Sequence, residues 1–128
     1  MDVKVLSRAL ALSFSGFILW VIYLANTGQP SLFFEMVPAI PLGDKIGHAG
    51  LFGTLTFLAT FATQFRFVHC YRIRIYYGVI AVTAFVVTEE ISQMFITTRT
   101  FDFTDLSADA LGMAAAVLLL RRVQSGNN

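Results

Sequence analysis

Residues able to do acid–base or cation chemistry recur at helical spacing in three places along this chain. Asp44 and His48 stand four residues apart with Lys45 between them, Glu89 and Glu90 precede Gln93, and Asp105 and Asp109 are again four apart. Positions three or four apart share one face of a helix. Carboxylic acids beside a histidine can exchange protons with a bound molecule, and carboxylate oxygens are the ligands that hard cations prefer. Each group adjoins a run of apolar residues long enough to enter a membrane, so the elements that position it come next.

Hydrophobic residues make up 56% of the 128, charged residues only 13%, and the mean hydropathy is +0.70. Soluble domains carry roughly 25% charged residues, so the chain reads as an integral membrane protein. Four stretches, residues 6–25, 46–65, 73–97 and 105–120, compare with the roughly 20 residues that cross a hydrocarbon core. They predict an all-α membrane protein, a bundle of four transmembrane helices in one domain over residues 1–128, with the fourth helix short. The first stretch exceeds the apolar run of a secretory signal, and Tyr23-Leu24-Ala25 is a poor cleavage site, so it reads as a retained helix. A lone Cys70 excludes an internal disulfide, and no paired Cys and His spacing of a zinc site surrounds it. It reads as an inert loop thiol.

Cations set the orientation. Lys4 and Arg8 precede the first stretch, Arg66, Arg72 and Arg74 lie between the second and third, and Arg121 and Arg122 follow the fourth, whereas Lys45 and Arg99 alone fall in the other connections. The positive-inside rule then places both termini and the middle loop in the cytoplasm. Of the eight acids only Asp2 is on that side, so the near-neutral net charge of +1 conceals a polarised molecule. The connection from Asn26 to Gly43 carries Pro30, Pro38 and Pro41 among apolar residues, and reads as a loop dipping into the outer interface. The aromatic-rich HCYRIRIYY, residues 69–77, reads as an interfacial belt rather than a nucleic-acid surface.

Stripes of small residues mark where helices pack in a membrane. Ala49, Gly53, Thr56, Thr60 and Thr63 form one on the second stretch, and Asp105, Asp109, Gly112 and Ala116 put two acids and two small residues on one face of the fourth. Those acids therefore point into the bundle, since turning Asp109 to lipid would cost about 3 kcal/mol. On the third stretch, Glu89 and Glu90 lie about 22 Å from Arg74 at 1.5 Å per residue. Gln93 can face either glutamate, and spacing does not choose between them. The stripe of Gly78, Ala81, Ala84, Thr88 and Ser92 lies nearer Glu89, which leaves one glutamate facing the bundle and the other snorkelling. His48 alone at this level would be an ordinary interfacial histidine; Asp44, Lys45, Asp105 and Asp109 at comparable depth make it part of a group.

At these residues the chain resembles the VanZ-like family of small polytopic membrane proteins. DKIGH, residues 44–48, resembles the start of the family pattern, and EISQMFITTRTFDFTDLSADALG, residues 90–112, supplies Glu90, Gln93, Arg99, Asp102, Asp105 and Gly112 at its later positions. Asp109 stands where the family usually has Asn, which adds a charge and argues against a purely amide role there. The resemblance covers roughly residues 41–120 and favours Glu90 over Glu89 as the inward carboxylate. It implies a link to the cell envelope and, through the family's named member, to resistance to the glycopeptide antibiotic teicoplanin, while most of the family has no assigned reaction.

Together these readings predict an outward-facing polar pocket in the cytoplasmic membrane. His48, Glu90, Asp105 and Asp109 are its candidate catalytic residues, with a protonated carboxyl as acid and His48 as base; Asp44, Lys45, Gln93, Arg99 and Asp102 are its candidate binding residues, Arg99 gripping a phosphate or carboxylate. The expected partner is a membrane lipid or lipid-linked envelope precursor, with no nucleic acid. No nucleophile is evident, so an enzymatic reaction does not follow. Two other readings fit the same residues: cation or proton binding and permeation, with a divalent cation as cofactor, or an ionic cluster that only holds the helices together.

Overall fold

Apolar runs free of interior proline fold here as four helices. Within residues 2–27, 43–96 and 103–126, which the computed structural model describes, α1 covers Val3–Thr27, α2 Gly43–Ala62, α3 Tyr77–Gln93 and α4 Phe103–Gly126. The side chains of residues 25–27 and of Asp44 fall outside that description, as does most of the proline-bearing connection expected to dip into the interface. All four helices contribute to one apolar core, in which Ile18 of α1 meets Phe52 and Leu55 of α2, Val82 and Val86 of α3 and Met113 of α4. The outer faces are apolar too, with Leu12 74% and Leu111 71% exposed. Among the described residues two segments, Val3–Leu24 and Phe103–Gly126, are long and apolar enough to cross a membrane.

The small-residue stripes on α2 and α4 meet. A β-carbon added at Gly53 would lie 2.8 Å from the Gly112 carbonyl oxygen, and one added at Gly112 would collide with the Ala49 carbonyl. Only hydrogen side chains allow backbones this close. Farther along α2, Thr56 and Thr60 are fully buried, and Gly78 at the start of α3 fits against Thr60, where an added β-carbon would come within 2.6 Å of its backbone nitrogen.

Three expectations change. Residues 73–76, assigned to the third span, form a strand: β1 (Phe67–Cys70) and β2 (Ile73–Tyr76) pair antiparallel, with Val68 opposite Ile75 and His69 opposite Arg74, so α3 starts at Tyr77. The period-2 alternation of Arg72-Ile73-Arg74-Ile75 favours an extended chain, and Tyr71, at a φ of 57°, makes the turn. Cys70 is thus exposed at a strand end rather than in an open loop. The fourth helix is not short, running 24 residues through Arg121 and Arg122. On α3 the buried face is Gly78, Val82, Val86, Glu89, Glu90 and Gln93, while Ala81, Ala84 and Thr88 of the expected stripe are exposed. Larger side chains at steps of four fill the space beside Phe52 and Met113 that alanines would leave open.

Filling the α2–α4 contact should be costly. Gly112→Leu is expected to destabilise the protein in detergent by about 1–3 kcal/mol or more, the usual cost of overpacking. Gly50→Ala, where an added β-carbon meets nothing within 4 Å, should leave thermal unfolding unchanged or stabilise by up to about 1 kcal/mol.

Candidate functional site

The contact at Ala49, Gly53 and Gly112 brings the first turns of α2 and α4 face to face. Lys45 forms an ion pair with Asp105, and one turn deeper His48 Nδ1 lies 2.8 Å from Asp109 Oδ1 in a hydrogen bond. The second ring nitrogen, Nε2, is 3.8 Å from Asp105 Oδ2. Exposure falls along this ladder: the side chains of Lys45 and His48 are 25% and 21% exposed, that of Asp109 only 1%. The cluster thus runs from a half-buried pair at the helix ends to a buried one a turn deeper.

The C-terminal end of α3 reaches the same cluster. Glu90 is 1% exposed, and a carboxylate oxygen of Glu90, a ring nitrogen of His48 and an oxygen of Asp109 all lie within 4.8 Å of one another. Among the described residues neither Glu90 oxygen has a hydrogen-bond partner, nor does Asp109 Oδ2. Leaving a buried acceptor unsatisfied costs about 1–3 kcal/mol, more for a charge. Gln93 does not serve Glu90: its amide donates to both oxygens of Glu89, at 2.8 and 2.9 Å.

Of the residues singled out from sequence, Lys45, His48, Glu90, Asp105 and Asp109 come together, with Gln93 buried one turn from Glu90. Asp44 lies in the first turn of α2, its side chain undescribed, and Arg99 and Asp102 lie outside the described residues. Glu89 was expected to snorkel if Glu90 faced inward; it is only 8% exposed. The spacing of four to Gln93 and its nearness to Ser92 were the available signals, and they gave an inward direction for Glu89 without excluding it for Glu90. Adjacent residues differ by about 100° around a helix, and both can be inside because α3 packs against α2 and α4 together.

At the opposite end, Arg72 and Arg74 of the hairpin and Arg121 and Arg122 of α4 line one cavity of about 620 Å³. Tyr76 Oη donates to Gln124 Oε1 at 2.6 Å and fastens the hairpin to α4. The bundle thus carries acids and a histidine at one end and arginines at the other.

The molecule is thus helical and apolar on its outer faces, with two helices among the described residues long and apolar enough to cross a membrane and a polar cluster buried at one end. A family model described as VanZ/LLP1 matches residues 7–124, and the chain belongs to that family. No curated protein and no solved structure matches it.

If His48 and Asp109 act as a unit, their effects on stability are coupled. Truncating His48 to Ala should cost about 1–3 kcal/mol by stranding the Asp109 carboxylate. A cycle with Asp109→Ala and the double variant, followed by unfolding in detergent, should return a coupling of about 0.5–3 kcal/mol; additive losses would mean that the hydrogen bond contributes nothing.

Proposed function

We propose that this VanZ-family protein is a multi-pass protein of the cytoplasmic membrane whose polar cleft, opening to the extracytoplasmic side, binds an envelope lipid or lipid-linked precursor by its head group and takes part in its processing. Buried Glu90, without a partner among the described residues beside the His48–Asp109 pair, carries this reading. A carboxyl group is retained in such surroundings at a cost that a head-group hydroxyl or amine would offset by donating to it.

The topology that goes with it has four crossings and both termini inside. Helices α2 and α3, of 20 and 17 residues, fit the roughly 17–25 residues of a spanning helix. Arginines cluster at the hairpin end and acids at the other, in keeping with the positive-inside rule. A lipid substrate would account for a cleft sunk below the helix ends. His48, held by Asp109, is placed to move a proton on a bound head group, with Glu90 as its acid partner. The family connection to glycopeptide resistance agrees with a lipid-linked cell-wall precursor as the ligand.

Two measurements test this reading. Lipid mass spectrometry on purified protein should find a copurifying envelope lipid whose yield falls roughly tenfold or more in Glu90→Gln, matching the loss of one hydrogen bond to a charged group; equal yields would count against the cleft as the binding site. For topology, the single cysteine, Cys70, is exposed in the hairpin. A membrane-impermeant maleimide should label it only after cells are permeabilised, and labelling of intact cells would invert the proposed orientation.

A further inference from the structure

We infer that His48, Glu90 and Asp109 form the three-ligand site of a first-row divalent transition metal, best matched by Zn²⁺, at the floor of the cleft. This inference rests on the proposed head-group site and changes its chemical centre: His48 and Glu90 would act there as ligands, and the ion rather than their protons would meet the head group. The three donors come from three different helices, α2, α3 and α4, and one donor atom from each already lies within 4.8 Å of the others. Ligands on a tetrahedral ion at about 2.0–2.1 Å are about 3.3 Å apart, so small side-chain rotations would close the set. Both Glu90 oxygens and Asp109 Oδ2 are buried with no hydrogen-bond partner among the described residues, and a cation would take one oxygen from each carboxylate.

The donor chemistry selects the ion. Calcium takes six to eight oxygens and magnesium keeps an octahedron rich in water, whereas one imidazole with two carboxylates suits zinc and its neighbours. Three protein ligands leave a coordination position open, as in sites where a metal meets a substrate. With Nδ1 of His48 facing Asp109, Nε2 is turned toward Asp105, and Asp105 is paired with Lys45. A carboxylate behind a ligating histidine orients the ring and raises its basicity, and Asp105, 3.8 Å from Nε2, would take that place after a small rotation.

Charge points the same way. Four carboxylates, Glu89, Glu90, Asp105 and Asp109, interact with His48 or with one another here, against the single lysine, Lys45, paired within the cluster among the described residues. A phosphate-bearing head group would be repelled by that excess. A bound dication converts the floor from repulsive to attractive and presents its open position to a head-group oxygen.

Protein purified in detergent and stripped with chelator should take up about one Zn²⁺ per chain, measured by elemental analysis and calorimetry, and prefer it over Mg²⁺ and Ca²⁺. Co²⁺ as a probe should give the intense visible absorption of a tetrahedral site. Glu90→Gln and Asp109→Asn, checked for folding by circular dichroism and gel filtration, should weaken Zn²⁺ binding by more than the roughly 10–100-fold typical of losing an outer partner. Asp105→Asn, which keeps all three ligands, should weaken it within that range and shift the Co²⁺ spectrum. Folded parent protein that binds neither Zn²⁺ nor Co²⁺ overturns the site, and so does unchanged affinity in both folded ligand variants; the parent titration decides alone if neither variant folds. Lipid copurification measured on the same samples separates the two readings. Lipid retained by parent protein that takes up no metal overturns the metal site and leaves the head-group reading standing, while metal bound by protein that retains no lipid supports the metal site and counts against the head-group reading.

Discussion

Between α2 and α4 there is no room for a methyl group at Gly53 or Gly112, and that close approach sets the register of everything at the polar end of the bundle. With the two backbones held there, Lys45 falls opposite Asp105, and His48 opposite Asp109 one turn deeper. Shifting either helix by one residue would rotate its acids or its histidine by about 100° out of the shared interface. Small residues supply no chemistry of their own; they bring the chemical groups within reach of one another.

Burial then changes what those groups can do. In a low-dielectric interior a polar side chain without a partner is expensive, and a paired one interacts far more strongly than it would in water. Asp109 meets this by its bond to His48 and Glu89 by its bonds from Gln93, while Glu90 meets no hydrogen-bond donor among the described residues. The cluster therefore combines a preorganised pair with an unmet demand for a proton, a donor or a cation. Phe52 beside His48 and Phe85 beside Phe52 continue the wall into the apolar core, so the polar floor ends abruptly.

The arginine end is organised differently. There the charges surround a cavity at the surface, and the β-hairpin, held to α4 through Tyr76 and Gln124, fixes Arg72 and Arg74 beside Arg121 and Arg122. The Arg74 guanidinium also lies over the Phe67 ring, 5.3 Å from its centre. Hydropathy hid this hairpin, because an apolar average joins Ile73, Ile75, Tyr76 and Tyr77 to the helix that follows; the alternation of arginine with isoleucine was the local signal for a strand. Likewise an excess of alanine on α3 drew attention to the wrong face. Composition reports which residues tolerate close packing, but only the neighbouring helices decide which face is packed.

Sequence alone determined the helical class, the apolar exterior, the separation of acids from arginines and the pairing face of α2 and α4, because each follows from local periodicity and from the cost of placing charge in hydrocarbon. The three residues that meet within 4.8 Å were among its candidates as well. Tertiary structure decided between the two glutamates that spacing left open: Glu90 joins His48 and Asp109, Glu89 is buried as well, and Gln93 serves Glu89. Those outcomes depend on the angle and depth at which α3 enters between α2 and α4, a property of side-chain volumes on three helices at once that no single helix's spacing can encode.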